Sequence, residues 1–281
     1  MGKSLLAVLA HPDDESFGFG GTLALYAHQG CDTYCLCATR GEAGTVESHW
    51  LENNAAIADL RTQEFVRAAK ILGLREFFFL GYRDSGMPGM EDNHHPMALI
   101  NHDVEEVAAQ VVRFIRRIRP DLVLTFDPIG GYKHPDHVHI HRATVLAFEK
   151  TGDSNYFPEF GDPYKPKALY FQVFPRRFLR WMTRIMRLFG KDPSRWGRNG
   201  DINLQELIEV DFPVHVRVDI REVVGVKLEA GSQHASQAGG RLQRGMIGLI
   251  GRAVASHEDY MQAYPPPSGE LKIKHDLFEG I

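Results

Sequence analysis

Ser4-Leu5-Leu6-Ala7-Val8-Leu9-Ala10-His11-Pro12-Asp13-Asp14-Glu15 opens the chain and decides how the rest is read. An unbroken apolar run from Ser4 to Ala10 fits a strand buried on both faces of a parallel sheet. The run follows a lysine and could be mistaken for the core of a signal peptide. It ends, however, in His-Pro-Asp-Asp-Glu and not in a small-residue cleavage site, so it reads as the first strand. The polar cluster then lies on the loop at that strand's carboxyl end, where ligands of open α/β sheets collect.

Working outward, short apolar runs alternate with longer amphipathic ones. Gly20–His28 reads as a helix and Thr33–Thr39 as a strand. Asn54–Leu72 reads as a helix stopped by Gly73, and Glu76–Leu80 as a strand. Val104–Ile118 has apolar residues at helical spacing and ends before Pro120. Asp121–Phe126 is a fourth strand and Asp136–Glu149 a further helix. This alternation predicts an α/β fold, a mostly parallel sheet with helices on both faces. The second half predicts a smaller, irregular C-terminal part, with strands at Ala168–Phe174 and His215–Asp219 and helices at Arg221–His234 and Leu242–Ser256. Residues 1–150 form the expected catalytic core carrying both polar motifs. Residues 151–281 are expected to complete the pocket within one overall domain. In Pro175–Asn203, a stripe of Phe178, Trp181, Met182, Ile185, Met186 and Phe189 opposes Arg180, Arg184 and Arg187. Such a basic amphipathic helix fits a cap or a contact between copies more often than a membrane surface. The tail from Pro265 reads as an extended surface segment.

Composition narrows the field. The chain has 281 residues, 43% hydrophobic and 24% charged, enough for a sizeable core. A net charge of -4 gives no general attraction to nucleic acid. No apolar run approaches the roughly 20 residues that span a bilayer. Cys31, Cys35 and Cys37 are an odd count in a core-rich chain, read as buried free thiols of a reducing cytoplasm.

A second cluster, Gly130-Gly131-Tyr132-Lys133-His134-Pro135-Asp136-His137, follows the fourth strand as the first follows the first strand. The two can meet in space. A catalytic zinc takes about three protein ligands and leaves a position open, and His11, Asp14 and His137 supply them. Asp13 is then a carboxylate beside the activated water. His134, as a protonated imidazole, is a candidate stabiliser of the oxyanion. Asp136 is a candidate to orient a histidine from behind. Blander readings stand beside these. Either motif alone suits a helix start, with Glu15 favouring a helix N-terminus and Asp136 as an N-cap. His137 and His141, at i and i+4, form a rival metal pair, although a packed or exposed role is the preferred reading for His141. His94, His95 and His102 read as solvated polar residues. Gly18-Phe19-Gly20-Gly21 fails as a dinucleotide fingerprint because the third glycine position is Leu23.

The two motifs together resemble those of the PIG-L / LmbE-like zinc deacetylases, Rossmann-like enzymes acting on N-acetylglucosaminyl compounds, among them deacetylases of mycothiol and bacillithiol biosynthesis. The resemblance covers Ser4 to Ala147 and continues weakly to His234-Ala235-Ser236-Gln237. It implies zinc ligation by His11, Asp14 and His137, with Asp13 as general base and His134 as partner of the tetrahedral intermediate. It also implies that Arg61 and Asp84 bind the sugar and that Tyr132 reaches the reacting carbonyl. The expected function is a cytoplasmic hydrolase that deacetylates a small N-acetylated sugar conjugate. The site's nitrogen and carboxylate donors also suit Fe(II), Co(II) or Mn(II). A mycothiol-conjugate-type amidase and a non-catalytic sugar- or nucleotide-binding module are the alternatives. No nucleic-acid partner and no membrane contact are expected, and self-association through the 178–189 stripe is plausible.

Overall fold

Continuous apolar runs become the central strands, because only a strand covered on both faces buries such a run completely. The computed structural model describes residues 2–47, 50, 56–174, 176–195, 200, 203–237, 256–267, 269 and 272–281, with the side chains of 176–178 left aside. Its strands are β1 (Ser4–Leu9), β2 (Asp32–Thr39), β3 (Glu76–Tyr82), β4 (Leu122–Phe126), β5 (Ala168–Val173), β6 (Val216–Asp219) and β7 (His257–Tyr264). They form one sheet in the order β3-β2-β1-β4-β5-β7-β6. The first five are parallel, and β7 runs antiparallel to both β5 and β6. Strands from both halves of the chain therefore share a single sheet. The α/β expectation holds, with the parallel part in the Rossmann-like order 3-2-1-4-5.

The described helices are α1 (Asp14–Phe17), α2 (Gly20–His28), α3 (Ile57–Leu72), α4 (Val104–Ile118), α5 (Gly130–Lys133), α6 (Pro135–Lys150), α7 (Arg176–Leu188), α8 (Leu204–Glu209) and α9 (Val224–Gln233). Gly73 closes α3 as read, in the left-handed conformation at φ 76°, and the structure adds Asp103 as the cap of α4, accepting from the Glu105 N–H. The half-exposed edge strand β3 seals both sheet faces with phenylalanines. Phe77 and Phe79 lie on Phe65 of α3, and Phe78 lies on Phe114 of α4. Cys31, Cys35 and Cys37 are free and buried. No described helix is long and apolar enough to cross a membrane.

Three expectations change. The chain has a strand, β7, that no apolar pattern announces, because its inward positions include Glu258 and Asp259. Glu258 accepts from the Gly21 and Thr22 N–H groups at 2.9 Å each, at the start of α2, and pairs with Lys227 Nζ at 2.6 Å. Asp259 accepts both arms of the Arg217 guanidinium at 2.8 and 2.9 Å. Buried carboxylates so satisfied give the strand a polar sequence. The tail is not simply a surface segment: Leu277 is fully buried, between the Tyr26 and Tyr170 hydroxyls. In α7, Met186 packs with Leu204 and Leu207 of α8, while Trp181, Leu188 and Phe189 stay exposed, so only part of the expected stripe is covered. The expected helix over 242–256 lies outside the described residues, apart from Ser256.

Glu258→Ala should remove the acceptor of two helix-start N–H groups and leave Lys227 without its partner. The expected loss is about 3 kcal/mol of unfolding free energy, read from urea denaturation. A loss under about 0.5 kcal/mol, the range of ordinary surface substitutions, would contradict the role given to this strand.

Candidate active site

The strand order reverses between β1 and β4, so the connections leaving their carboxyl ends diverge and open a crevice. His11 to Asp14 occupy one side of it and Gly130 to His137 the other. Of the residues expected to form a site, His11, Asp14, His134, Asp136 and His137 are all buried there. His11 Nδ1 lies 3.2 Å from His137 Nε2 and 3.7 Å from Asp14 Oδ2, and His137 Nε2 lies 3.3 Å from Asp14 Oδ1. Ligands about 2.0–2.1 Å from a tetrahedral ion stand about 3.3 Å apart, and these three contacts come close to that spacing, with Asp14 meeting the two imidazoles through different oxygens. Taking one atom per residue, the groups among the described residues with every donor within 4.8 Å are His11 with His134 and His137, and His11 with Asp84 and Asp136.

The other face of the His11 ring is held from across the crevice. Its Nε2 meets Asp136 Oδ2 at 3.1 Å and Asp84 Oδ1 at 3.4 Å. Asp136 is fixed in turn by the Ser85 N–H at 2.9 Å. A carboxylate on one imidazole nitrogen leaves the lone pair of the other free to bind an ion. Burial alone would lower the His11 pKa. The surrounding carboxylates, Asp84 and Asp136 foremost, outweigh burial and raise it well above its ordinary value, the mark of a pocket that favours positive charge. Burial raises the Asp14 carboxyl to about 7, against the pull of His11. Burial, with His134 and His11 adding to it, pushes His137 well down and keeps it neutral.

His134 departs from its expected charge state. It caps α6, with Nδ1 accepting from the Asp136 N–H at 3.2 Å. Burial, reinforced by His11, lowers it to about 4. The ring is therefore neutral at ordinary pH, with its proton on Nε2. The N-cap is His134, and Asp136 is not. His141 is the packed residue expected, with Nδ1 on the Phe126 carbonyl at 2.8 Å and its ring against Phe171, which removes the rival metal pair. His94 and His95 are exposed, whereas His102 is half-buried against Tyr82.

Above this floor lies a cavity of about 220 Å³ whose wall includes Asp13, Arg61, Asp84, Tyr132, His134 and Gln237. Asp13 has φ 128° and ψ −27°, a conformation that L-residues avoid. The turn lets two successive carboxylates serve one site: Asp14 faces the imidazoles and Asp13 the cavity. Burial raises the Asp13 carboxyl above its usual value, against the pull of Arg61. The Arg61 guanidinium gives 3.0 Å to Asp13 Oδ2, 2.6 Å to the Pro12 carbonyl and 3.0 Å to the Gly41 carbonyl. Most of its donors are thus committed to the loop, although it still borders the cavity. Tyr132 sits with its ring 5.0 Å from that of His137, and burial keeps its hydroxyl protonated. The Tyr132 segment rests on the small cluster of α7 and α8, and Lys133 pairs with Glu206 at 2.6 Å.

Some of the site was not foreseen. Glu15 does serve a helix start, accepting from the Asp13 N–H at 2.8 Å, but it is also fully buried against His234 Nε2 at 2.6 Å. Gln237, from the same C-terminal turn, reaches the cavity. The 234–237 element was visible as a weak family match, but a pairing across 219 residues leaves no local periodicity to read.

Residues 6–148 match the family model PIG-L, described as GlcNAc-PI de-N-acetylase. Two similar relatives carry the name 1D-myo-inositol 2-acetamido-2-deoxy-alpha-D-glucopyranoside deacetylase. That of Streptomyces scabiei is 40% identical, covering 100% of this chain and 90% of its own. That of Rhodococcus erythropolis is 35% identical, covering 99% and 98%. Among solved structures, N,N'-diacetylchitobiose deacetylase from Pyrococcus horikoshii is similar with a TM-score of 0.62 at 20% identity, over 92% of this chain and 83% of that one. At that identity the likeness speaks for the fold.

Gly41 tests how tightly the Arg61 clamp is built. Its φ is 71°, and a Cβ there would lie 2.1 Å from Arg61 Nη1, whereas Gly30, at φ 80°, has nothing within 4 Å. Gly30→Ala should lower the unfolding free energy by about 1 kcal/mol. Gly41→Ala should lower it by about 3 kcal/mol or more, since the left-handed strain is joined by a displaced buried guanidinium. Equal losses in chemical denaturation would show that the guanidinium has room to move.

Proposed function

This chain belongs to the PIG-L family of de-N-acetylases, and we propose that it hydrolyses the acetamide of an N-acetylglucosaminyl conjugate of the N-acetylglucosaminyl-inositol kind. It is a hydrolase acting on amides. The observation that carries the proposal is the convergence of His11, Asp14 and His137 at 3.2 to 3.7 Å beneath a cavity walled by Asp13. These three are the proposed ligands of a zinc ion. His134 is not preferred as a ligand because its Nδ1 serves as a helix cap, and Asp136 is given the outer role because it meets His11 at Nε2, the nitrogen turned away from His137. Bound there, zinc lowers the pKa of a water and polarises the acetyl carbonyl.

The remaining chemistry falls to the chain's own groups. Asp13 takes a proton from the attacking water as oxygen bonds to the carbonyl carbon. Its raised pKa suits that task, and the same proton is then available to the departing amine. Neutral His134 donates from Nε2, and Tyr132 from its hydroxyl, towards the oxygen that gains charge. The C–N bond breaks, and acetate and the free amino sugar leave. Asp84 and the cavity edge of Arg61 are the proposed contacts to sugar hydroxyls. Asp136 keeps the His11 ring in the tautomer that binds the ion. The names of the relatives favour this reading over cleavage of a larger cysteinyl amide. The buried donor set disfavours a module that only binds.

Chelation should abolish acetate release from N-acetylglucosaminyl-inositol, and added zinc should restore it. Asp13→Asn should keep its metal, measured by plasma emission, yet lose roughly 10²- to 10⁴-fold in kcat. An Asp13→Asn enzyme with near-native turnover would remove Asp13 from the mechanism. Turnover unaffected by complete metal removal would remove the ion.

A further inference from the structure

Asp13 carries its carboxylate on a strained main chain, at φ 128° and ψ −27°. Left-handed or bridging conformations of this kind cost about 1–3 kcal/mol for a residue with a side chain. They persist only where their surroundings fix them. A closed circuit of contacts surrounds this one. The Asp13 N–H donates to Glu15 Oε2 at 2.8 Å, and the other Glu15 oxygen accepts from His234 Nε2 at 2.6 Å. His234 ends α9 and begins a tight turn whose Ser236 gives both its N–H and its hydroxyl to the Glu64 carboxylate, at 2.8 and 2.7 Å. Glu64 stands on α3, one turn beyond Arg61, and Arg61 returns to the Asp13 carboxylate at 3.0 Å. One arm of the circuit grips the main chain of Asp13 and the other its side chain.

We infer that His234, through Glu15, is a positioning residue for Asp13: the pair acts as a strut that holds the strained main chain in the orientation the reaction uses. This rests on the reading of Asp13 as general base given above. Stability alone is a poor reason for the pair. Glu15 and His234 are both fully buried, and burying an ion pair commonly gains little over apolar side chains of equal volume. His234 Nδ1 is moreover buried with no hydrogen-bond partner among the described residues, a further cost to the fold. The strut also spans the molecule. It ties the turn that brings Gln237 to the cavity wall to the residue that handles the proton, so the C-terminal part of the chain takes part in placing the base.

His234→Gln and His234→Leu separate these roles, since the two side chains are similar in size and only glutamine keeps an N–H for Glu15. The leucine variant should lose roughly 10- to 100-fold in kcat, the scale set by small misplacements of a reacting group. KM should be little changed and metal content should stay at the wild-type level. The glutamine variant should recover most of that loss. Where leucine prevents folding, His234→Ala takes its place in the same comparison. The decisive step repeats the pair in an Asp13→Asn background. A strut acting only through Asp13 has nothing left to position there, so leucine and glutamine should give equal rates. The inference is overturned if leucine matches wild type, if its loss follows loss of metal, or if the same loss persists in the Asp13→Asn background. An Asp13→Asn enzyme that is itself fully active defeats instead the reading of Asp13 as base, whatever His234 does.

Discussion

Everything in the site depends on β1 lying directly beside β4, in parallel, with Leu5 opposite Leu122 and Ala7 opposite Leu124. That pairing joins segments more than a hundred residues apart and ends both strands at the same level. The His11 loop and the Gly130–His137 loop then leave in opposite directions from one point. Had β4 paired elsewhere in the sheet, each motif would be an ordinary helix start. With the pairing made, two imidazoles and a carboxylate face one another across a few ångströms, and each loop supplies what the other lacks. The first brings Asp13 and Asp14, and the second brings Asp136 to the back of His11 and His134 to the wall of the cavity.

The parallel core was legible because burial on both faces writes a continuous apolar run, and Ser4–Leu9 and Leu122–Phe126 are such runs. The helices were legible through period and punctuation. Val104–Ile118 needed only its stripe and Pro120. The antiparallel edge was not, because His257–Tyr264 buries carboxylates whose partners lie on α2, α9 and β6. A polar residue with a distant partner looks the same in sequence as one facing water. In the site, the residue types and their spacing pointed to His11, Asp14 and His137 before any geometry was known. The charge state of His134 did not follow in the same way. It depends on burial and on which nitrogen caps α6, and both are properties of the fold.

The site also shows how charge is accommodated in an apolar sheet protein. His11 is surrounded by three carboxylates, and Arg61 spends its donors on two main-chain carbonyls and on Asp13. Glu15 and His234 neutralise one another beneath the loop. No member is costless to bury, and each is tolerable because its neighbour supplies the opposite charge or a hydrogen bond. The result is a rigid wall with the least favourable backbone of the region at Asp13, the residue proposed to move a proton. Strain placed at the reacting group, with stability supplied by the elements around it, is the arrangement expected of a pre-organised site.

The central claim is that one ion is gripped by His11, Asp14 and His137. Anomalous diffraction at the zinc edge from crystals of the zinc-loaded protein tests it directly. The account predicts one strong peak about 2.0–2.1 Å from a nitrogen of each histidine and an oxygen of Asp14. A peak coordinated instead by Asp84 and Asp136, or none in this crevice, would contradict it.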